Sequence, residues 1–439
     1  MTATDHDPAP GFFPPEEYEG RLERVRAAME GRGLDACLIS APENVYYLTG
    51  LDHQGYFAYQ ALVLPLDGGT PLLVTRAMEK AIVRDQTPSL RHVGYSDGIR
   101  PLPPPADRQE DLVLATRDSE GKMAGLRPWE GSLGVSIHGP LEAAGLEPAV
   151  QATLEALAAA GVDGGRVGIE KKSAFLPFHI AEKVVAGLAG AEWTDCSGLV
   201  DDCRIVQSPL EQRCTREAAR VSESMMLSAI ATAGPGVAEQ DVIAAAYDAM
   251  FRRGGTYPGF VPLVRSTRTI EHEHGTWQAG TLAEGDLLFL EMAGCVRRYH
   301  APTGRLVYIG RAPETARRTQ AVCREAIERA AGEIGPGVRA GDVYRAWQSR
   351  IDEAGLSAYR RHHCGYSVGI GYPPSWSGSG TPRGLREDSD LVLRSGMVFH
   401  LMSWLLRTGE GDSFLSDTVL VTDDGCELLT RIDRDVLER

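Results

Sequence analysis

A glutamate interrupts an apolar run at Leu287-Leu288-Phe289-Leu290-Glu291-Met292-Ala293-Gly294. Burying even a neutral polar group without a partner costs about 2–7 kcal/mol, so Glu291 must sit at an exposed strand end, be paired, or be functional. Arg297, Arg298 and Arg305 are near enough in sequence to pair it. Histidines lie on both sides. His272 and His274 share an H-x-H spacing, which turns both imidazoles to one face of an extended chain. That spacing occurs in metal sites and, more commonly, in solvated loops. His362 and His363 precede the glycine-rich stretch from Cys364 to Gly371, and His400 lies inside Val398-Phe399-His400-Leu401-Met402. A histidine on an apolar strand is more often a hydrogen-bonded core residue than a catalyst. Tyr366, Tyr372, Trp376 and Trp404 add aromatic surface to the same segments. Trp376 has a loop context, Pro373-Pro374-Ser375-Trp376-Ser377-Gly378, which makes it a wall able to face a cation.

The elements that must position these residues fall into two textures. Residues 1–17 read as a flexible lead, rich in Pro and Asp. From there to about residue 200, helical patterns at 16–31, 141–161 and 177–189 alternate with apolar runs at 36–39, 44–48, 61–64, 71–74 and 167–170, all read as strands. This is an α/β domain over 18–200, with a proline-rich loop near 100–107. The second domain, 201–439, contains an internal echo. Gly234-Pro235-Gly236-Val237 reappears as Gly335-Pro336-Gly337-Val338, and Gly254 as Gly355, at one offset. Each copy is a long helix, a turn, a second amphipathic helix with a glycine cap, and then strands. Two copies make a pair of halves about a pseudo-twofold, with a site expected where they meet.

Composition narrows the function. With 45 Lys+Arg against 60 Asp+Glu, the chain carries a formal charge of -15, which disfavours nucleic-acid binding. No apolar run is long enough to span a membrane, and the N-terminus lacks the basic and apolar regions of a secretory signal. The 8 cysteines form no C-x-x-C pair, as expected of reduced thiols in a cytoplasmic protein.

Together these residues resemble the pita-bread family of creatinase, prolidase, Xaa-Pro aminopeptidase and methionine aminopeptidase. Gly33-Leu34-Asp35-Ala36 and Pro42-Glu43-Asn44-Val45-Tyr46-Tyr47-Leu48-Thr49-Gly50 resemble the opening of the creatinase N-terminal domain, and the duplicated helix-GPGV-helix resembles the pita-bread domain. The metallopeptidases of this fold hold two metal ions with five side chains. The resemblance puts Glu291, Pro302, Tyr366, Met402 and Ser416 at those positions. It therefore implies no metal site, no cofactor and no ordinary aminopeptidase activity. More specific strings resemble the ectoine-hydrolase-like branch. They are Leu290-Glu291-x-Ala293-Gly294, Arg298-Tyr299-His300-x-Pro302, the stretch from Gly365 through Trp376, and Phe399-His400-Leu401-Met402.

The resemblance implies a metal-independent hydrolase of a C–N bond in a small zwitterionic amino-acid-derived compound. Glu291 would serve as nucleophile or base, His274 as general acid/base and Tyr366 as hydrogen-bond donor. Trp376 and Trp404 would box a cationic ring, and Arg298 or Arg305 would clamp a carboxylate. Tyr299, His300, His363, Tyr372 and His400 complete the expected binding set, with His362 or His363 left open. A homodimer is carried over from creatinase-like proteins. Two other readings remain: a lyase or cyclase acting on a sulfonium amino acid such as S-adenosylmethionine, and a non-catalytic binding protein.

Overall fold

A computed structural model describes residues 12–96, 113–117, 123–128, 147–378, 382–409 and 411–439. The chain divides into two compact units, Met1–Cys203 and Arg204–Arg439. The proline-rich segment at 100–107, most of the lead and the start of the helical pattern at 141–161 lie outside the described residues.

In the first unit, α1 (Pro15–Gly31), β1 (Ala36–Ile39), α2 (Pro42–Thr49), β2 (Ala61–Pro65), β3 (Leu72–Arg76), α3 (Lys80–Gln86) and β4 (Arg91–Tyr95) come first. A hairpin of β5 (Val113–Arg117) and β6 (Met123–Pro128) follows. Then come α4 (Pro148–Ala159), β7 (Gly165–Ile169), α5 (Phe178–Gly187), β8 (Ala191–Asp195) and α6 (Leu199–Arg204). Six strands form a mixed sheet in the order β4-β3-β2-β1-β7-β8. The segment at 44–48, expected as a strand, is helix α2 instead. Pro42 starts it, Gly50 ends it at φ 78, and all eight residues are buried. A segment buried on every side carries no periodicity to separate helix from strand. Glu170, at the end of β7, caps this helix: its carboxylate accepts from the Ser40 and Ala41 amides and from Asn44 Nδ2 at 2.7–2.8 Å.

The second unit repeats one plan twice. Helices α7 (Pro209–Thr232) and α8 (Glu239–Arg252) precede β9 (Leu263–Ser266), β10 (Leu287–Val296) and β11 (Tyr299–Tyr308). Helices α9 (Glu314–Glu333) and α10 (Ala340–Glu353) precede β12 (Gly365–Ser367), β13 (Gly384–Leu385), β14 (Val398–Leu405) and β15 (Ser413–Thr422). The two GPGV turns are superimposable in their bonding. Gly236 donates to Leu282 O at 2.8 Å, Gly337 donates to Leu393 O at 2.9 Å, and both glycines have left-handed φ. Strands run β13-β12-β14-β15-β11-β10-β9 in one sheet, with β16 (Gly425–Leu428) and β17 (Leu437–Glu438) paired at β15 and β11.

Strand alternation sorts this sheet into two faces. Leu288, Leu290, Met292 and Val307 pack under α7 and α8, and Phe399, Leu401, Leu415 and Val419 pack under α9 and α10. Gly294 permits the close approach of α7, because a Cβ there would meet Ala218 O at 2.5 Å. Leu290 pairs with Arg305, so Arg305 faces the helices and not the site. It is buried and spends its donors on Asp433 O, Gly304 O, Ser416 O, Ile432 O and the Asp417 carboxylate at 3.1 Å. Asp417 also takes Arg434 at 2.8 Å and Thr430 Oγ1 at 2.8 Å. Arg305 is therefore a structural brace and not a substrate clamp.

Removing one partner of such a buried pair leaves an uncompensated charge. Asp417→Ala is expected to lose about 3–5 kcal/mol of stability, read as a lower urea midpoint for the full chain.

Candidate active site

The face opposite the helices carries a straight row of side chains. Register places Leu263, Glu291, Gly304, Ser416 and Met402 opposite one another across β9, β10, β11, β15 and β14. Tyr366 and His400 face each other across β12 and β14, one pleat along. Gly304 has to be a glycine, because a Cβ would meet the Phe414 ring at 2.2 Å. Loops carrying Phe260, His274, Arg361 and Trp376 close this face into a cavity of about 920 Å³.

Glu291 lines the cavity and is only 5% exposed. Burial pushes its carboxyl up to about 7, against an opposing pull from Arg265. Its nearest basic nitrogen is His400 Nδ1 at 3.8 Å. His400 is fully buried, and burial together with His363 pushes it down to about 3, so it is a neutral imidazole. Its Nδ1 lies 3.2 Å from the Tyr366 hydroxyl, and its Nε2 is buried without a partner. An orphaned N–H is rarer than an orphaned lone pair, which favours the tautomer with the proton on Nδ1. Tyr366 O then accepts from His400 Nδ1 and from Trp376 Nε1 at 3.0 Å. Its own O–H is left for the cavity. Burial first and Glu291 second raise the phenol, so it remains a neutral donor.

His363 stands edge-on to Tyr366 with ring centroids 5.5 Å apart. Burial and the neighbouring His362, Arg361 and Arg386 lower it to about 4. His274 is exposed on the loop after β9, against the Phe260 ring at 6.3 Å. His272 is exposed as well, so the H-x-H pair does not gather as ligands. Among the described residues no group of three or more His, Cys, Asp or Glu is clustered for a metal ion.

Of the residues singled out from sequence, Glu291, His274, Tyr366, His363, Trp376 and Trp404 line the cavity, and both His362 and His363 are in its wall. His400 stands behind Tyr366. The rest are elsewhere. Arg298 sits in the β10–β11 turn with φ 67 and donates to Gly371 O and Tyr257 O. Its guanidinium lies over the Tyr257 and Tyr372 rings at 4.1 and 4.5 Å, which also accounts for Tyr372. Tyr299 faces the helices and donates to Glu211 at 2.8 Å. His300 accepts from Gly259 N and contacts Gly369 O; burial lowers it to about 3, and it is a core histidine. Trp404 does not offer a free face for a substrate cation on the side where Arg361 lies 3.6 Å from its ring centroid.

Sequence reading missed Arg265. It lies opposite Phe289, with its guanidinium 3.8 Å from that ring and diagonal to Glu291. The clue was present: an arginine inside the apolar strand Leu263-Val264-Arg265-Ser266 is as costly to bury as Glu291.

Comparison with known proteins agrees with this architecture. Residues 21–206 match the creatinase/prolidase N-terminal domain, and residues 213–423 match metallopeptidase family M24. The chain is 29% identical to an ectoine hydrolase of Halomonas elongata, over 96% of this chain and 97% of that one. A dipeptidase structure from Pyrococcus horikoshii superposes with a TM-score of 0.74 at 19% identity, covering 95% of this chain and all of that one (100%). A Thermococcus sibiricus prolidase superposes with a TM-score of 0.76 at 17% identity, covering 96% and 99%. The chain is thus a creatinase N-terminal domain followed by an M24 pita-bread domain.

The displaced Glu291 proton has a consequence for stability. The folded carboxyl holds its proton to about 7, while the unfolded one releases it at the ordinary value near 4.5. Stability therefore falls as pH rises from about 4.5 to 7 and stays low above that. Glu291→Gln is expected to be roughly 1–3 kcal/mol more stable than the parent at pH 8, with the gap closing at pH 5. Urea unfolding at the two pH values measures it.

Proposed function

We propose that this pairing of a creatinase/prolidase N-terminal domain with an M24 domain forms a metal-independent hydrolase. Its substrate is a small zwitterionic amino-acid-derived ring with an amidine-like C–N bond, of the kind ectoine has. The observation that carries the reading is Glu291, a desolvated carboxylate lining a cavity of about 920 Å³. The likeness to ectoine hydrolase over nearly the whole of both chains supports the substrate class.

The donor set does not fit a pair of divalent cations. Pro302 has no donor, Met402 offers a thioether, and the Tyr366 oxygen is engaged by Trp376 and His400. Ser416 Oγ is buried without a partner, and Arg265 already supplies positive charge beside Glu291.

In the reaction, Glu291 acts as base. A carboxylate that ionises near 7 is better matched to taking a proton from water than an ordinary one. The water oxygen bonds to the amidinium carbon and its proton passes to Glu291. The C–N bond then breaks as Glu291 returns the proton to the departing ring nitrogen, and the adduct's hydroxyl gives its remaining proton to that amine as the C=O forms. The sum is amidinium ring plus water to an amide and an ammonium group. Tyr366 donates a hydrogen bond to the charge that develops, the Trp376 wall keeps the ring in place, and His274 exchanges protons at the solvent side.

Metal-stripped protein in oxygen-18 water is expected to open a cyclic amidine with label in the amide. kcat/KM should rise with pH through about 7 as Glu291 loses its proton. Glu291→Gln should lose on the order of 10²–10⁴ in rate. Unlabelled product from a sulfonium amino acid, or activity that returns only with added metal, would overturn the reading.

A further inference from the structure

We propose that Arg265 is the carboxylate anchor of the cavity, with the Nε–Nη2 edge of its guanidinium taking the substrate's carboxylate while the reacting carbon lies at Glu291. The identity of the ring rests on the hydrolase reading above; the anchor rests on Arg265 alone.

Five arginines line the cavity: Arg265, Arg360, Arg361, Arg386 and Arg407. Four already have carboxylates. Arg360 pairs with Glu387 at 3.1 Å, Arg361 with Glu273 at 3.5 Å, Arg386 with Asp388 at 3.0 Å, and Arg407 with Glu271. Arg265 has none within ion-pair distance among the described residues, although it is only 5% exposed. Its Nη1 is spent on Ile270 O at 3.1 Å and His272 O at 2.8 Å, and the guanidinium is laid over Phe289. Its Nε is buried without a hydrogen-bond partner.

The contrast with Arg305 is informative. That arginine is buried to the same degree and has an acceptor for every N–H group. Leaving a charged donor unpaired in the interior is costly, and a guanidinium held at Nη1 with no acceptor on Nε is suited to taking a carboxylate there. Arg265 is also oriented by fixed contacts, so little ordering remains when a carboxylate arrives.

Arg265 pairs with Phe289 and Glu291 with Leu263, so the two charged residues are diagonal neighbours on one face. Such neighbours stand about 7–8 Å apart along the backbone. A ligand spanning them is short, with its anionic group near its reacting cationic carbon. A carboxylated amidine ring meets that requirement; an extended peptide does not.

The test compares ectoine with the same ring lacking the carboxylate, 2-methyl-1,4,5,6-tetrahydropyrimidine. Arg265→Met should lower kcat/KM for ectoine by about 100-fold, mainly through KM, and change the decarboxylated ring by no more than about threefold. Arg265→Lys should fall between. Methylguanidinium added to Arg265→Ala should restore turnover of ectoine alone, which a misfolded variant could not do. Equal losses on both rings would overturn the anchor. If the parent opens neither ring, the hydrolase reading fails and the anchor is read by calorimetry with pipecolate. Binding to the parent that weakens at least about 30-fold in Arg265→Met supports it; equal binding, or none to the parent, overturns it.

Discussion

Glu291 is kept out of water by its own strand. Its neighbours Leu290 and Met292 point into the helices, and the pleat leaves Glu291 no direction but the opposite face. There the row runs Leu263, Glu291, Gly304, Ser416, Met402, with no second carboxylate to share its charge. Desolvation without a full partner is what raises its proton affinity toward neutrality. The same burial keeps His400 neutral and Tyr366 protonated, and Arg265 stands near enough to pull on Glu291 but not to pair with it.

Two buried arginines show how the same residue serves two purposes. Arg305 is one step out of phase with Glu291, so it faces the helices and closes a network with Asp417, Thr430 and Arg434. It ties the sheet to the C-terminal segment. Arg265 is in phase with Glu291, held only at Nη1 and by a ring face. A difference of one residue in register separates a brace from a residue that meets the substrate.

That register also explains what could be read from the sequence. The duplicated GPGV turns, the two-unit organisation of helices and strands, and the anomaly of Glu291 were legible because each is a local pattern with one physical meaning. Tyr366, reached through resemblance, and Trp376, reached through its loop context, both line the cavity. Arg298, Arg305, His300 and Tyr372 were misgrouped because closeness in sequence does not fix a face. Tyr372 and Arg298 stack on each other, and His300 is bonded between Gly259 and Gly369. Helix α2 was misread because burial on all sides erases period. Arg265 lies 26 residues before Glu291, and only the pairing of β9 with β10 brings them together.

We propose that Glu291 works as a desolvated base and not as a metal ligand. The most direct measurement is its protonation, read as the carboxyl carbonyl band in infrared difference spectra of the parent against Glu291→Gln from pH 5 to 9. Spectra are taken with chelator and then with added manganese. A desolvated base gives a band that disappears with a midpoint near 7, unmoved by manganese. A carboxylate already ionised at pH 5, or a band that manganese abolishes, would contradict it.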